Sequence, residues 1–348
     1  KFGFVKSQLR TIVRVVRSEF ATVVIAVWAT LVAIMLLAPL PLPLQGNGWG
    51  LQLYWATMVA VLAVASSPAA TIALIREMRP SPEFARLALA ITVIKDVALV
   101  VIFSALLSAG LAAIGPSIAG GANHAAASGA QASGASALLW LPITIGMQMV
   151  GSLALGGVVA AILWALGRFI NMRIELFLML VCYGIAVVSA ELRADPLLVA
   201  LTAGLILTNV PSSRAMPRLL ASMDGLLLPV YCVFFAVAGA KLHLDAMTLM
   251  WPAMAVVVVV RLAAKYWAVT RAAHRAGVPE PTATWLWTTT LPQAGVTLAM
   301  AIQFERTFHG HAWAPSVAAL LLAVVACNEL IGPPLMKLGI QRTLDRTA

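Results

Sequence analysis

The sequence predicts an all-α polytopic membrane protein with about ten spanning helices. Three observations carry this. The 348 residues are 61% hydrophobic and 10% charged, whereas soluble domains carry roughly 25% charge. Mean hydropathy is +0.96. Apolar runs of spanning length recur along the whole chain, separated by short loops that alternate between rich and poor in Arg and Lys.

The runs are 18–39, 51–75, 87–113, 138–167, 173–190, 195–209, 222–241, 246–270, 282–305 and 313–336. Residues 1–17 hold Lys1, Lys6, Arg10, Arg14 and Arg17 and read as a cytoplasmic lead-in. The first run is too long for a signal peptide and shows no clear cleavage site. The sixth is short and starts at Asp195-Pro196. Arg76, Arg79 and Arg86 mark one inside loop, Arg168 and Arg173 the next, then Arg214 and Arg218, then Arg271 and Arg275, and Lys337, Arg342 and Arg346 follow the last run. Loops 40–50 and 114–137 have no Lys or Arg. That bias predicts both termini on the cytoplasmic side of the cell membrane. Loop 114–137 is rich in Gly, Ala and Ser and reads as a flexible external linker, with His124 an exposed loop residue. The chain reads as one transmembrane domain, 1–348, with a core bundle in 18–113 and 246–336 and scaffold or interface helices in 138–241.

The charge pattern excludes several classes. The net charge of +10 follows from basic loops and does not indicate a nucleic-acid surface. Cys182, Cys232 and Cys327 lie in apolar runs without metal-type spacing and read as small buried hydrophobes. No GxSxG, HExxH, P-loop or Cys/His cluster is present, so an enzyme is not expected, and no cofactor is implied.

The first three and last three runs share a layout but start from opposite sides, which predicts an inverted repeat. The middle run of each triplet carries proline among small polar residues: Ser66, Ser67, Pro68 and Thr71 in the second, and Thr290, Pro292 and Gln293 in the ninth. Proline removes an N–H and clashes with the preceding turn, so both helices should break. Paired interruptions at corresponding positions point to a transporter's binding site, where free carbonyls and half-helix ends can meet an ion.

Charges inside the runs point the same way. Lys95-Asp96 is the charged pair in the third run, and a charge at bilayer depth costs about 2.5–3.5 kcal/mol even on the lenient insertion scale. Arg261 lies near the middle of the eighth run, too deep to escape, and Asp96 is its expected partner. Lys265, one turn on, is close enough to the interface to snorkel. Glu329, beside Asn328 in the tenth run, precedes Gly332-Pro333-Pro334 and is expected to hold a helix break there by hydrogen bonding rather than to bind an ion. Glu191, Asp195, Asp224 and Asp245 fall at run ends and read as interfacial.

At these residues the chain resembles the monovalent cation/proton antiporter superfamily, including the sodium/proton exchangers and the Kef-type potassium efflux antiporters. The motifs are SSPAAT (66–71), ITVIKDVALVVIFS (91–104), ADPLLVALTAGLILTN (194–209), LPVYCVFFAVAGAKLHLD (228–245), RLAAKYWA (261–268), LPQAGVTLAMA (291–301) and NELIGPPLMK (328–337). Each is weak alone; their order and spacing together are specific. The resemblance implies an inverted-repeat antiporter fold with two broken, crossing helices, homodimers and an elevator-like movement, with further amino-terminal scaffold spans in the family. It implies that Asp96 binds the transported monovalent cation and the proton, and that Arg261 pairs with Asp96. Ser66, Ser67, Thr71, Pro292 and Gln293 would line the crossover.

Lys95 departs from the family pattern, which has Asp, Asn or Gln before the essential aspartate. If Lys95 faces Asp96, it either carries the proton or locks the site in a salt bridge. The leading expectation is therefore secondary antiport of Na+ or K+ for H+. The alternatives are a non-transporting or sensory membrane protein on the same fold, and an anion or organic-acid carrier built on Lys95, Arg261 and Lys265.

Overall fold

The computed structural model describes residues 2–37, 48–114, 134–166, 174–192, 194–209, 232–233, 236, 244–293 and 295–345. His124, Asp224 and most of the predicted run 222–241 lie outside the described residues, as does the side chain of Asp245. All regular structure among the described residues is helical: α1 (Phe2–Leu37), α2 (Trp49–Leu62), α3 (Pro68–Met78), α4 (Pro82–Ile114), α5 (Gly134–Leu166), α6 (Ile174–Leu192), α7 (Pro196–Asn209), α8 (Leu244–Arg275), α9 (Thr282–Trp285) with a 3-10 turn (Leu286–Thr290), α10 (Gly295–Thr307) and α11 (Ala314–Asp345). Gln8–Leu37, Pro82–Leu111, Trp251–Arg275 and Ala314–Asp345 are long and apolar enough to cross a membrane.

The chain divides into two compact units, one comprising residues 1–99, 116–121 and 241–348, the other 100–115 and 122–240. In the first unit, α1 packs along α8. It begins well before the predicted start at residue 18, because its buried stripe continues upstream. Ile12, Val15, Val16, Glu19, Val23, Val27 and Leu31 follow one another at spacings of mostly three or four and are all buried. Arg10, Arg14 and Arg17 fall off that stripe and stay exposed. Ile12, Val15 and Val16 join Phe84, Leu87 and Ile91 of α4, Val269 and Ala273 of α8, and Met336 and Ile340 of α11 in one core cluster.

The second predicted run is two helices. Helix α2 stops at Leu62 and α3 starts at Pro68, whose missing N–H costs nothing at the first helical position. Ser67 caps α3, its Oγ accepting from the Ala70 amide at 3.2 Å. The ninth run is likewise divided, with α9 and its 3-10 turn ending at Thr290 and α10 starting at Gly295.

The tenth run does not break where expected. Helix α11 continues through Pro333 and Pro334. Gly332, Met336, Gly339 and Ile340 form one buried face on both sides of the prolines, and that packing overrides the propensity.

The second unit contains the end of α4 with α5, α6 and α7. Helices α5 and α7 pack closely through Gly156, where an added Cβ would lie 2.6 Å from Thr202 Cβ. Asp195 is buried rather than interfacial. It caps α7, Oδ1 accepting from Leu197 and Leu198 amides at 2.8 and 3.2 Å, while Oδ2 accepts from Ser104 Oγ at 2.6 Å. Cys182 and Cys232 are exposed, not buried. Cysteine is small and apolar enough to lie on the outer face of an apolar helix as readily as in its core.

Candidate functional site

The two interruptions meet inside the first unit. Both strip backbone carbonyls of helical partners, and such groups need other donors when buried. At the first break, four consecutive carbonyls each accept from a buried side chain. Leu62 takes Gln293 Nε2 at 2.8 Å, Ala63 takes Arg261 Nε at 2.7 Å, Val64 takes Lys265 Nζ at 2.9 Å and Ala65 takes Arg261 Nη2 at 2.9 Å. The second break is matched in kind. Thr289 O lies 3.3 Å from Thr71 Oγ1, Thr290 O accepts from Lys265 Nζ at 2.9 Å, Leu291 O from Arg261 Nη2 at 3.1 Å and Pro292 O from the Ser67 amide at 2.7 Å.

Arg261 and Lys265 sit one turn apart on α8, so both project from one face into this junction. Each is 0% exposed. Arg261 also donates through Nη1 to Asn328 Oδ1 at 2.7 Å, and Asn328 Nδ2 donates to Gln293 Oε1 at 3.1 Å. A planar guanidinium with a fixed fork of donors suits several fixed carbonyls at once. The crossover-lining set Ser67, Thr71, Thr290, Pro292 and Gln293 is thus gathered at one place, and α11 contributes Asn328 to it. Pro68 starts the helix that leaves it.

This arrangement corrects three expectations. Arg261 makes its hydrogen bonds to the break carbonyls and Asn328, not to Asp96, because its donors are directed at unpaired backbone oxygens. Lys265 does not snorkel: its ammonium is held by Val64 O, Thr290 O and Glu19 Oε1. The carbonyls at the breaks are not left free for an ion: Arg261 and Lys265 bond those of Ala63, Val64, Ala65, Thr290 and Leu291, and Gln293, Thr71 and the Ser67 amide bond those of Leu62, Thr289 and Pro292.

Lys95 also finds a partner the sequence reading missed. Its Nζ lies 2.6 Å from Glu19 Oε1, and the same oxygen accepts from Lys265 at 2.8 Å. Glu19, Lys95 and Lys265 are all 0% exposed, and Glu19 Oε2 makes no hydrogen bond. The signal was present in the sequence. Glu19 is an acid just inside the first apolar run, in a chain with 13 acids in all. It falls in register with the buried stripe of α1.

Asp96, adjacent to Lys95 on α4, is 9% exposed, and neither carboxylate oxygen makes a hydrogen bond of ordinary geometry. The Ser66 backbone amide faces it, and Lys95, Lys265 and Glu19 are the charges that act on it. Ser66 Oγ is buried without a hydrogen-bond partner, as is Thr297 Oγ1 on α10. A buried carboxylate without donors is stable when its charge is cancelled, by a proton or by a cation. Glu329 is partly buried and its Oε2 makes no hydrogen bond, so the expected clamp on a helix break is not formed. Among the described residues, no group of three or more His, Cys, Asp or Glu is placed to hold a resident metal ion.

Comparison with known families finds that the transmembrane sodium/hydrogen exchanger family matches residues 6–337. No match was found among curated proteins.

Proposed function

Since the chain belongs to the sodium/hydrogen exchanger family, whose members exchange cations for protons across membranes, we propose that it is a secondary antiporter of Na+ or K+ against H+, with Asp96 as the site the two share. The carrying observation is the Asp96 carboxylate: buried, adjacent to the joined breaks, and with both oxygens free of ordinary hydrogen bonds. Every other buried cation or carboxylate in the cluster has a direct partner. A proton and a monovalent cation cancel the same single charge, so they compete for Asp96 and do not occupy it together. Binding one from one side and the other from the opposite side gives exchange by alternating access. The Ser66 hydroxyl, buried without a hydrogen-bond partner, is a candidate oxygen for a bound cation, while the Ser66 amide N–H faces the carboxylate itself. The inverted relation of the two broken segments, a homodimeric assembly in the cell membrane and cytoplasmic termini belong to the same proposal.

The departure at Lys95 fits this reading. Its ammonium is directed to Glu19, so it need not neutralise Asp96. The three cations that motivate an anion carrier already hold Glu19, Asn328 and backbone carbonyls. A second reading, a non-transporting protein on the same fold, draws on a different observation: the break carbonyls that would supply further cation ligands are taken.

Purified protein in liposomes with an internal pH dye separates these. Pulses of Na+ and K+ should each be tested against Asp96→Asn. The antiport reading expects cation-driven pH change in the wild type and none in D96N, with both proteins folded. Exchange unchanged in D96N removes Asp96 from the role, and a silent wild type favours the second reading.

A further inference from the structure

We infer that Glu19 is a positioning residue for exchange: it holds the ammonium groups of Lys95 and Lys265 together and thereby keeps Lys95 off Asp96. This rests on the assignment of Asp96 as the exchange site. The geometry is a three-membered cluster from three helices. Glu19 comes from α1, Lys95 from α4 and Lys265 from α8, and one oxygen, Oε1, accepts from both lysines at 2.6 and 2.8 Å. Lys265 has two further acceptors, Val64 O and Thr290 O. Glu19 is the acceptor found for Lys95.

Asp96 is the adjacent residue, and Lys95 is among the charges that act on it. A lysine that loses its carboxylate in a buried site must find another, because an uncompensated buried charge is strongly unfavourable. Asp96 offers two buried oxygens without a hydrogen bond of ordinary geometry, only the Ser66 amide facing them. Without Glu19, Lys95 therefore turns to Asp96 and occupies the place of the transported cation. The ionised cluster of Glu19, Asp96, Lys95, Arg261 and Lys265 carries one net positive charge, and losing Glu19 adds another, which repels any cation approaching Asp96. The lysine that breaks the family pattern and the glutamate on α1 act as a compensating pair: the second makes the first compatible with cation binding.

The test uses the full chain in proteoliposomes, with the KM for Na+ and for K+ read from dye-reported proton flux. Glu19→Gln should raise the cation KM roughly tenfold or more while changing the maximal rate much less. The double variant E19Q/K95Q removes one charge of each sign. It should bring the KM back to within about twofold of wild type, a coupling that two independent structural losses do not produce. If E19Q is not recovered folded, the double variant decides alone: a KM near wild type supports the inference and a tenfold rise overturns it. An unchanged KM in folded E19Q overturns it as well. A wild type without flux of either cation ends the antiport reading and leaves only the placement of Lys95 by Glu19 to be decided. The second arm then decides, an electron cryo-microscopy structure of E19Q. Lys95 Nζ within hydrogen-bond distance of an Asp96 oxygen supports the inference, and Lys95 turned elsewhere overturns it.

Discussion

The backbone amide of Ser67 donates to the carbonyl of Pro292 at 2.7 Å. This contact joins the two interruptions main chain to main chain, and Pro292 lies in the gap between the 3-10 turn and α10. Side chains from α8 then bridge both breaks. Arg261 Nη2 reaches Ala65 O on one and Leu291 O on the other, and Lys265 reaches Val64 O and Thr290 O. The junction is a neutralised backbone hub with Asp96 beside it.

Arg261 is accordingly a structural member of the hub. Arg261→Lys keeps the charge but cannot reach Ala63 O, Ala65 O, Leu291 O and Asn328 together. Each buried acceptor left without a donor costs about 1–3 kcal/mol. The expected result is a marked fall in the unfolding temperature of R261K in detergent, larger still for R261M, which also leaves Glu19 facing one cation fewer. A melting temperature unchanged in R261K contradicts the hub.

Gly332 sets how closely α11 lies on the second break. A Cβ there would sit 2.6 Å from Pro292 Cα and 2.7 Å from Pro292 N, so backbone has to move. Gly339, two turns on, would meet the buried Thr288 side chain instead, away from the Pro292 backbone. Overpacking of this kind costs typically about 1–3 kcal/mol. Gly332→Ala should therefore slow exchange more than Gly339→Ala, because it displaces the carbonyl that Ser67 bonds. Initial flux rates measured at equal protein density check the order.

The helical class and the two breaks were legible because they rest on local rules: apolar composition, and proline among small polar residues. That Asp96 and Arg261 are buried ionisable groups was legible too, since a charge in an apolar run is conspicuous. Partner choice was not. Arg261 and Asp96 are opposite charges in two apolar runs, and pairing them is the natural guess. The orphan carbonyls that actually receive the guanidinium carry no mark in the sequence, since every residue has one. Glu19 drew no reading from the sequence: it follows Arg17 and Ser18 at the start of the first run, and its register with the buried stripe shows only once α1 is seen to start at Phe2. The prolines at 333 and 334 misled in the other direction, because helical packing outweighed a local preference.

The Ser67 side chain gives a narrower prediction. Its Oγ accepts from the Ala70 amide and caps α3 at the break. Ser67→Ala should cost about 1 kcal/mol, the usual loss for an N-cap, while Ser67→Asp, which keeps a capping oxygen, adds a negative charge next to Asp96's helix-break neighbour Ser66. S67A should lower thermal stability slightly with little change in cation KM. S67D should alter the KM. Paired melting and flux curves distinguish the two effects.

Asp195 supplies a contrast within the second unit. It caps α7 through the Leu197 and Leu198 amides and accepts from Ser104 Oγ, and its own amide donates to Ser152 Oγ at 2.9 Å. Asp195→Ala removes the cap and leaves the Ser104 hydroxyl to its other acceptor, Val100 O at 2.9 Å, a loss of about 0.5–2 kcal/mol. Asp195→Asn keeps an oxygen for the amides and should lose less. The charges acting on Asp96 are those of Lys95, Lys265 and Glu19, and neither change touches them. Both variants should thus melt earlier, D195A more so, with the Na+ and K+ KM values unmoved. A KM shift in D195N comparable to that of E19Q would mean that buried acids anywhere in the chain tune the site, and the specific role of the α1 carboxylate would fall.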